Sequence, residues 1–127
     1  MITFGERLQF IRKHRGLTQK ELGLYLGFSE NTADIRIAQY ELDKRTPRPE
    51  LIDKIAHILD VTPDSLLSPI PNTGMEIMQF LFWMEELPQI KQSDKLMRAW
   101  IDKKKEYSDG LITHDQYLDW KLKFIEM

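Results

Sequence analysis

The chain has 127 residues, of which 42% are apolar and 30% charged, with a net charge of −2; these values are ordinary for a soluble globular protein. The absence of cysteine excludes disulfides, thiolate zinc sites and a cysteine nucleophile. The N-terminus lacks a basic segment followed by an apolar one, and the longest apolar stretch, residues 80–84, is too short to span a bilayer. We therefore expect a cytoplasmic protein with no membrane partner.

Two capping boxes predict the first two helices. Thr3 with Glu6, and Thr18 with Glu21, each place a hydroxyl residue three positions before a glutamate, which is the spacing of reciprocal caps. The first helix is expected to end near Gly16, where basic residues precede the glycine. Apolar residues follow at helical spacing: Phe4, Leu8 and Ile11 in the first helix, and Leu22 and Leu26 in the second.

Turn signals divide the next part of the chain into three more helices. Gly27 can adopt the left-handed conformation that turns the chain, and Ser29 is expected to cap helix three. Pro49 suits the first position of helix four, and Pro63 the start of a short fifth helix. The predicted inner faces are Ala33, Ile37 and Tyr40 in helix three, and Leu51, Ile55, Ile58 and Leu59 in helix four.

The segment 17–47 carries the clearest functional pattern. It opens with Leu-Thr-Gln-Lys-Glu-Leu, turns at Gly-Phe-Ser (27–29) and leaves through Tyr40-Glu41 into Lys-Arg-Thr-Pro (44–47). From about Thr3 to Leu67 the chain resembles the helix-turn-helix domains of the phage repressor/Cro type, the XRE family. The resemblance implies an all-α, five-helix domain that places one helix in the major groove of DNA. It implies a dimeric transcriptional regulator, with a repressor as the expected role.

The resemblance also implies roles for individual residues. Gln19 is expected to bond a phosphate and to support the recognition helix, and Glu41 is expected to pair with a cation inside the domain, for which Arg12 is a candidate. Asp43 stands where the family commonly has glycine, and aspartate tolerates the left-handed conformation. The full predicted DNA-binding set is Gln19, Lys20, Ser29, Asn31, Thr32, Ile35, Arg36, Gln39, Lys44, Arg45 and Arg48.

Helix three offers a surface that could read bases. With its apolar residues inward, the opposite face carries Asn31, Ile35 and Ala38, flanked by Thr32 and Gln39. Amides can pair with adenine, and apolar side chains can meet a thymine methyl group. We expect two or three of these five residues to touch base edges, with the rest solvating the helix.

The chain departs from the family pattern in the same place. Ser29 and Glu41 are twelve positions apart, whereas the family interval is about eight, so roughly one helical turn of about 3.6 residues is inserted. Either helix three is longer at its N-terminus, or the preceding turn is an extended loop. Glu30 and Asp34 fall in this segment and would repel phosphate if they faced the DNA backbone.

Residues after the first domain predict a second helical region. We expect a helix-turn-helix domain over residues 1–68, a linker over 69–74 that contains proline and turn residues, and about three helices over 75–127. The stretch from Met75 to Leu87 is apolar on nearly every side, which favours a homodimer formed through residues 75–127.

Local signals also place the last two helices. Ser93 is expected to cap the first of them, which should break at Asp109-Gly110, and Thr113 with Gln116 is a further capping box. The end of the chain resembles, over some twenty residues, the SHOCT-type helical hairpin. A small-molecule or peptide effector is the alternative to dimerisation, with Trp83, Trp100 and Trp120 as walls. The lysine run 103–105 is interpreted as a solvated helix face because acidic residues flank it.

The sequence also bears on two other classes of function, an enzyme and a protein-interaction module. The three histidines, His14, His57 and His114, have no second ligand at metal spacing, and no nucleophile or phosphate-loop motif occurs. We therefore expect no enzyme, no metal and no cofactor. The stronger alternative is a protein-interaction module on the same scaffold, such as an antitoxin or a regulator-binding protein, which the acidic residues near helix three favour.

Overall fold

The computed structural model describes residues 3–67, 73–86 and 93–124, and the regular secondary structure in these ranges is entirely helical, which confirms the all-α prediction. The chain divides into two compact units, Met1–Ile70 and Pro71–Met127, which we call the N-terminal and C-terminal units. The helices of the described residues are α1 Phe4–His14, α2 Gln19–Tyr25, α3 Ala33–Glu41, α4 Pro49–Leu59, α5 Pro63–Leu67, α6 Gly74–Glu86, α7 Ser93–Ser108 and α8 His114–Lys123.

All five helices of the N-terminal unit contribute to one apolar core. Burying a large aliphatic side chain stabilises a fold by about 1.5–3 kcal/mol, so this shared core accounts for the association of helices that are individually short. Its buried residues are Leu8, Ile11, Leu22, Leu26, Ala33, Ile37, Tyr40, Ile52, Ile55, Ala56, Leu59 and Leu66.

The inner face of α4 differs from the prediction. Ile55 and Leu59 are buried as expected, but Leu51 and Ile58 are only half-buried. Ile52 and Ala56 are buried in their place. The helix is apolar on two adjacent stripes, so its periodicity alone could not determine which stripe faces the core.

Local capping determines most helix ends of this unit. The Thr3 hydroxyl accepts a hydrogen bond from the Glu6 backbone N–H, and the Thr18–Glu21 capping box is complete. The chain turns at Gly16 with φ +74° after α1, and Pro49 occupies the first turn of α4, both as predicted. Asp60 ends α4 in the left-handed conformation.

Two glycines allow helices to approach closely. A Cβ added at Gly5 would lie 2.3 Å from the carbonyl oxygen of Glu41, so α1 and α3 meet backbone to backbone there. A Cβ added at Gly23 would lie 2.6 Å from the carbonyl oxygen of Ala33, so α2 and α3 also cross at close range. No side chain larger than hydrogen fits either position without movement of the backbone.

Helix α6 opens the described part of the C-terminal unit. It begins at Gly74, one residue before the predicted start, so Gly74 belongs to the helix and not to the linker. Its described large apolar side chains, from Met75 to Trp83, are all between 44% and 69% exposed. The predictions for the linker prolines, for Leu87 and for the capping side chain of Ser93 lie outside the described residues.

Helices α7 and α8 form a hairpin around aromatic contacts. The Trp100 indole N–H donates to the Tyr117 hydroxyl at 2.7 Å, and the ring of Tyr107 stacks on that of Tyr117 with centroids 5.1 Å apart. Gly110 turns the chain with φ +76°, and the Thr113–Gln116 capping box is complete. In the ranges described, no helix has the length and apolar character needed to cross a bilayer.

Candidate nucleic-acid interface

Helices α2 and α3 are joined by a tight turn. The chain reverses at Gly27, which has φ +89° as predicted, and the backbone N–H of Phe28 donates to the Gly23 carbonyl at 3.0 Å. Because Gly23 also meets Ala33, the turn and the crossing point fix the two helices against each other. The result is the geometry of a helix-turn-helix.

The segment between the turn and α3 corrects one prediction. Ser29 does not cap α3: its hydroxyl lies 2.8 Å from that of Thr32, and α3 begins at Ala33. The Ser29 carbonyl accepts a hydrogen bond from the Ala33 N–H at 2.9 Å, so the inserted residues form a closed turn and not a longer helix. The Asp34 carboxylate accepts a hydrogen bond from the Ile35 N–H, one of the first N–H groups of α3, which have no acceptor within the helix itself.

This correction changes the predicted readout face. Asn31 and Thr32 are exposed but lie in the turn before α3, not on the helix. Ile35 is 55% exposed on the side opposite the buried residues, and Ala38 and Gln39 are half-buried beside it. The candidate readout surface therefore has two parts, the exposed stripe of α3 around Ile35 and the side chains of the turn that precedes the helix.

Arg36 lies on the flank of α3 and contacts the turn. Its guanidinium carbon is 3.6 Å from the centroid of the Phe28 ring, which is a stacking contact. Arg36 was in the predicted DNA-binding set, whereas Phe28 was not given a role there. The pairing of two residues eight positions apart depends on the folded turn, so no local sequence signal indicates it.

Gln19 is held by the ion pair that the resemblance implied. Arg12 donates to both carboxylate oxygens of Glu41, at 2.7 and 3.0 Å, and the two side chains are 8% and 2% exposed. Arg12 also donates to the Leu17 carbonyl at 2.7 Å. The Gln19 amide, at the start of α2, donates to Glu41 at 3.3 Å. One carboxylate thus links α1, α2 and α3.

Lys20 is engaged with the inserted turn. Its ammonium group lies 3.2 Å from the carboxylate of Glu30, and both side chains are largely exposed. The pair neutralises Glu30, one of the two acidic residues that would repel phosphate if they faced the DNA backbone. An exposed pair of this kind contributes about 0–1 kcal/mol, so a phosphate could compete for Lys20.

The basic exit loop packs back onto α3. The backbone N–H groups of Lys44 and Arg45 both donate to the Gln39 carbonyl, at 3.0 and 3.3 Å. The side chains of Lys44, Arg45 and Arg48 are exposed. Arg48 immediately precedes α4 and so stands near the positive end of a helix dipole.

Asp43 holds the start of this loop against α1. It has φ +57°, as the replacement of a glycine requires, and its carboxylate accepts hydrogen bonds from the Thr3 hydroxyl and from the Gly5 N–H. The side chain therefore caps α1 from across the fold, a function that glycine could not perform. Sequence reasoning accounted for the backbone of Asp43 but missed this capping role.

Two further observations concern charge. Burial against α5 lowers the pKa of the Arg7 guanidinium, which contacts the Ser65 carbonyl at 3.4 Å. The guanidinium nevertheless remains charged at neutral pH, because the ordinary pKa of arginine lies far above neutrality. Among the described residues, no group of three or more histidines and carboxylates is arranged to hold a metal ion.

Comparison with known proteins agrees with this geometry. The model of a family described as a helix-turn-helix domain matches residues 5–69, slightly more than half of the chain. The chain therefore belongs to this helix-turn-helix family. The family is non-enzymatic, which confirms over residues 5–69 the prediction that the chain is not an enzyme. The match ends at residue 69, and the SHOCT-like resemblance of the C-terminal hairpin stays a prediction.

Two individual proteins are similar to the chain. One is an HTH-type transcriptional regulator, RghRB, of Bacillus subtilis (strain 168), which is 38% identical over 69 residues. The match covers 54% of this chain and 47% of that relative, so the chain spans about half of the relative's length. The other is the crystal structure of the transcriptional regulator BswR, with a TM-score of 0.52 and 26% identity over 78% of this chain and 92% of that one.

Proposed function

We propose that the protein is a DNA-binding transcriptional regulator, acting as a repressor in the cytoplasm. The observation that carries the proposal is the fixed α2–turn–α3 arrangement. In it, α3 carries Ile35 and Gln39 and leads into the exposed exit loop. A helix of this kind fits the major groove, which is about 12 Å wide. The names of the two relatives as transcriptional regulators add support.

Lys44, Arg45 and Arg48 are proposed to bind phosphates beside the groove. They are exposed, and the two hydrogen bonds to Gln39 give the loop a defined path from the end of α3. The net charge of −2 does not oppose this role, because local neutralisation of phosphates determines DNA affinity.

Salt-dependent binding tests this role directly. Replacing both Arg45 and Arg48 by Ala should weaken binding to all duplexes alike and reduce the slope of log K against log salt by about 1.8, or about 0.9 for each phosphate contact. A matched control removes two exposed lysines of the C-terminal unit, Lys95→Ala with Lys105→Ala, which changes the net charge equally. If the two double variants lose the same affinity, the loop has no specific role.

We further propose that the protein binds as a homodimer through residues 75–127. Helix α6 supports this, because seven described large apolar side chains lie exposed on it: Met75, Ile77, Met78, Phe80, Leu81, Phe82 and Trp83. Exposed apolar patches of this kind mark protein interfaces, and a stable interface needs about 800 Å² from each partner. A two-fold dimer would also place two recognition helices about one DNA turn apart.

Sedimentation of the intact chain at micromolar concentration tests the dimer. Phe82→Glu should shift the protein to monomer, whereas Gln79→Glu, the same added charge at an exposed polar position of α6, should leave the dimer intact. A monomeric wild-type protein would contradict the proposal and would favour an effector site involving the tryptophans.

The second candidate is a protein-interaction module. It is favoured by the exposed Ile35 on α3 and by the exposed acidic residues Asp34 and Glu30 at the start of α3 and in the preceding turn, because acidic groups suit DNA less than basic ones do. A gel shift with the DNA upstream of the gene, at low and at high salt, separates the two functions. Wild-type protein that binds no duplex at low salt would favour the interaction module.

A further inference from the structure

The contact between Phe28 and Arg36 joins the turn to the flank of the recognition helix. The guanidinium lies 3.6 Å from the ring centroid, and the Phe28 backbone is fixed by its hydrogen bond to the Gly23 carbonyl. The ring is therefore a platform attached to the rigid crossing of α2 and α3. An arginine on such a platform loses less rotational freedom when it binds a ligand than a free one would.

The stacked guanidinium keeps its donors available. Its five N–H groups lie in the plane of the group, whereas the ring occupies only one face. Within residues 3–67, 73–86 and 93–124, the Arg36 side chain makes no hydrogen bond or ion pair, and the residue is exposed. It thus offers a planar edge suited to two oxygens of one anionic group.

The position of Arg36 on α3 indicates which part of DNA that edge meets. At about 100° per residue, Arg36 lies about 60° from the line of buried Ala33 and about 100° from exposed Ile35. The Arg36 side chain therefore projects from the side of the helix and not from the face that carries Ile35. A helix about 10–12 Å in diameter nearly fills the groove, so its sides face the sugar-phosphate walls.

We infer that Phe28 is a positioning residue that holds the Arg36 guanidinium for bidentate contact with a DNA phosphate at the wall of the major groove. The inference rests on the proposed DNA binding and adds to it a residue that does not itself touch DNA. It also assigns Arg36 to phosphate binding and not to base readout.

Binding titrations with two duplexes test the assignment of Arg36. One duplex is selected from a random library by binding to the wild-type protein, and the other has a random sequence. Arg36→Ala should weaken binding to both by the same factor and reduce the salt slope by about 0.9. A loss confined to the selected duplex would assign Arg36 to a base and overturn the inference.

A double-mutant cycle tests the role of Phe28. Phe28→Leu should weaken binding about two- to fivefold, the equivalent of an exposed cation–π contact, and Phe28→Tyr should retain wild-type affinity. In the Arg36→Ala background, Phe28→Leu should have no further effect. If the two losses multiply instead, Phe28 acts independently of Arg36 and the positioning role is wrong.

Stacking can be measured without DNA. The ring current of Phe28 should shift the Arg36 side-chain N–H resonance in the free wild-type protein, and the shift should disappear in Phe28→Leu while the thermal unfolding midpoint changes little. Absence of the shift overturns the inference whatever the DNA titrations show. If the shift is present but the wild-type protein binds neither duplex at low salt, the proposed function fails, and the phosphate role fails with it.

Discussion

Replacing Glu41 by Gln should destabilise the N-terminal unit strongly. The substitution removes the charge that both hydrogen bonds from Arg12 engage, and it leaves a guanidinium without a counter-charge on a side chain that is only 8% exposed. Removing one partner of a buried ion pair costs about 3–5 kcal/mol. The stability of a small domain is about 5–15 kcal/mol, so the loss amounts to about a fifth of the stability of a very stable domain and to most of that of a marginal one.

The assay must measure the free energy of unfolding of the N-terminal unit within the intact chain. The three tryptophans, at positions 83, 100 and 120, all lie in the C-terminal unit, so their fluorescence would follow the other part of the protein. Native-state hydrogen exchange at the buried Leu8 and Ile37 amides measures the required free energy directly.

Two further variants make this prediction refutable. Glu30→Gln is the matched control, because it makes the same chemical change in the exposed pair with Lys20 and should cost less than about 1 kcal/mol. The double variant Arg12→Met/Glu41→Leu removes both charges and should recover most of the lost stability. Equal losses in Glu41→Gln and Glu30→Gln, or a double variant as unstable as Glu41→Gln, would refute the reasoning.

Substitutions at Gly5 and Gln39 should affect stability and DNA binding respectively. Gly5→Ala should lower the free energy of unfolding of the N-terminal unit by about 1–3 kcal/mol in the same exchange assay, because its Cβ would meet the Glu41 carbonyl oxygen. Gly74→Ala, whose Cβ would meet nothing within 4 Å, should not lower the free energy of unfolding of its own C-terminal unit, measured at amides of α7. Gln39→Ala should weaken binding to a selected duplex by about 1–3 kcal/mol and to a random duplex much less. Equal losses on both duplexes would show that Gln39 positions the protein instead of reading sequence.

Local patterns predicted the features that local chemistry determines. The Thr18–Glu21 and Thr113–Gln116 capping boxes each involve residues three apart, and both are present in the structure. Gly27 likewise adopts the left-handed conformation that its position in the turn requires. Such contacts form within one helical turn, so the sequence contains all the information they need.

The wrong predictions concern choices that the sequence leaves open. Ser29 can either cap a helix or close a turn, and the structure uses it for the turn because α3 begins only at Ala33, packed against Gly23. Along α4, Ile52 and Leu51 are equally apolar, and the neighbouring helices determine which one is buried.

The sequence indicates candidate residues for the site, but it does not indicate most of the contacts among them. Family resemblance implied the Arg12–Glu41 pair, and the structure contains it. The stacking of Arg36 on Phe28 and the capping of α1 by Asp43 join residues that are 8 and 38 positions apart. Such contacts become visible only once the chain has folded, because no short-range periodicity encodes them.

Because Arg12 already pairs with Glu41, Gln19 can take part in DNA binding without being needed for the stability of the fold. The Arg12 guanidinium already donates to both carboxylate oxygens, whereas the Gln19 amide adds only a bond of 3.3 Å. Rotation of that amide towards a phosphate would break one weak hydrogen bond, worth about 0.5–1.5 kcal/mol, and would leave the buried charges paired. The residue at the start of α2 can therefore change its partner, or be exchanged during evolution, while the core beneath it keeps its stability.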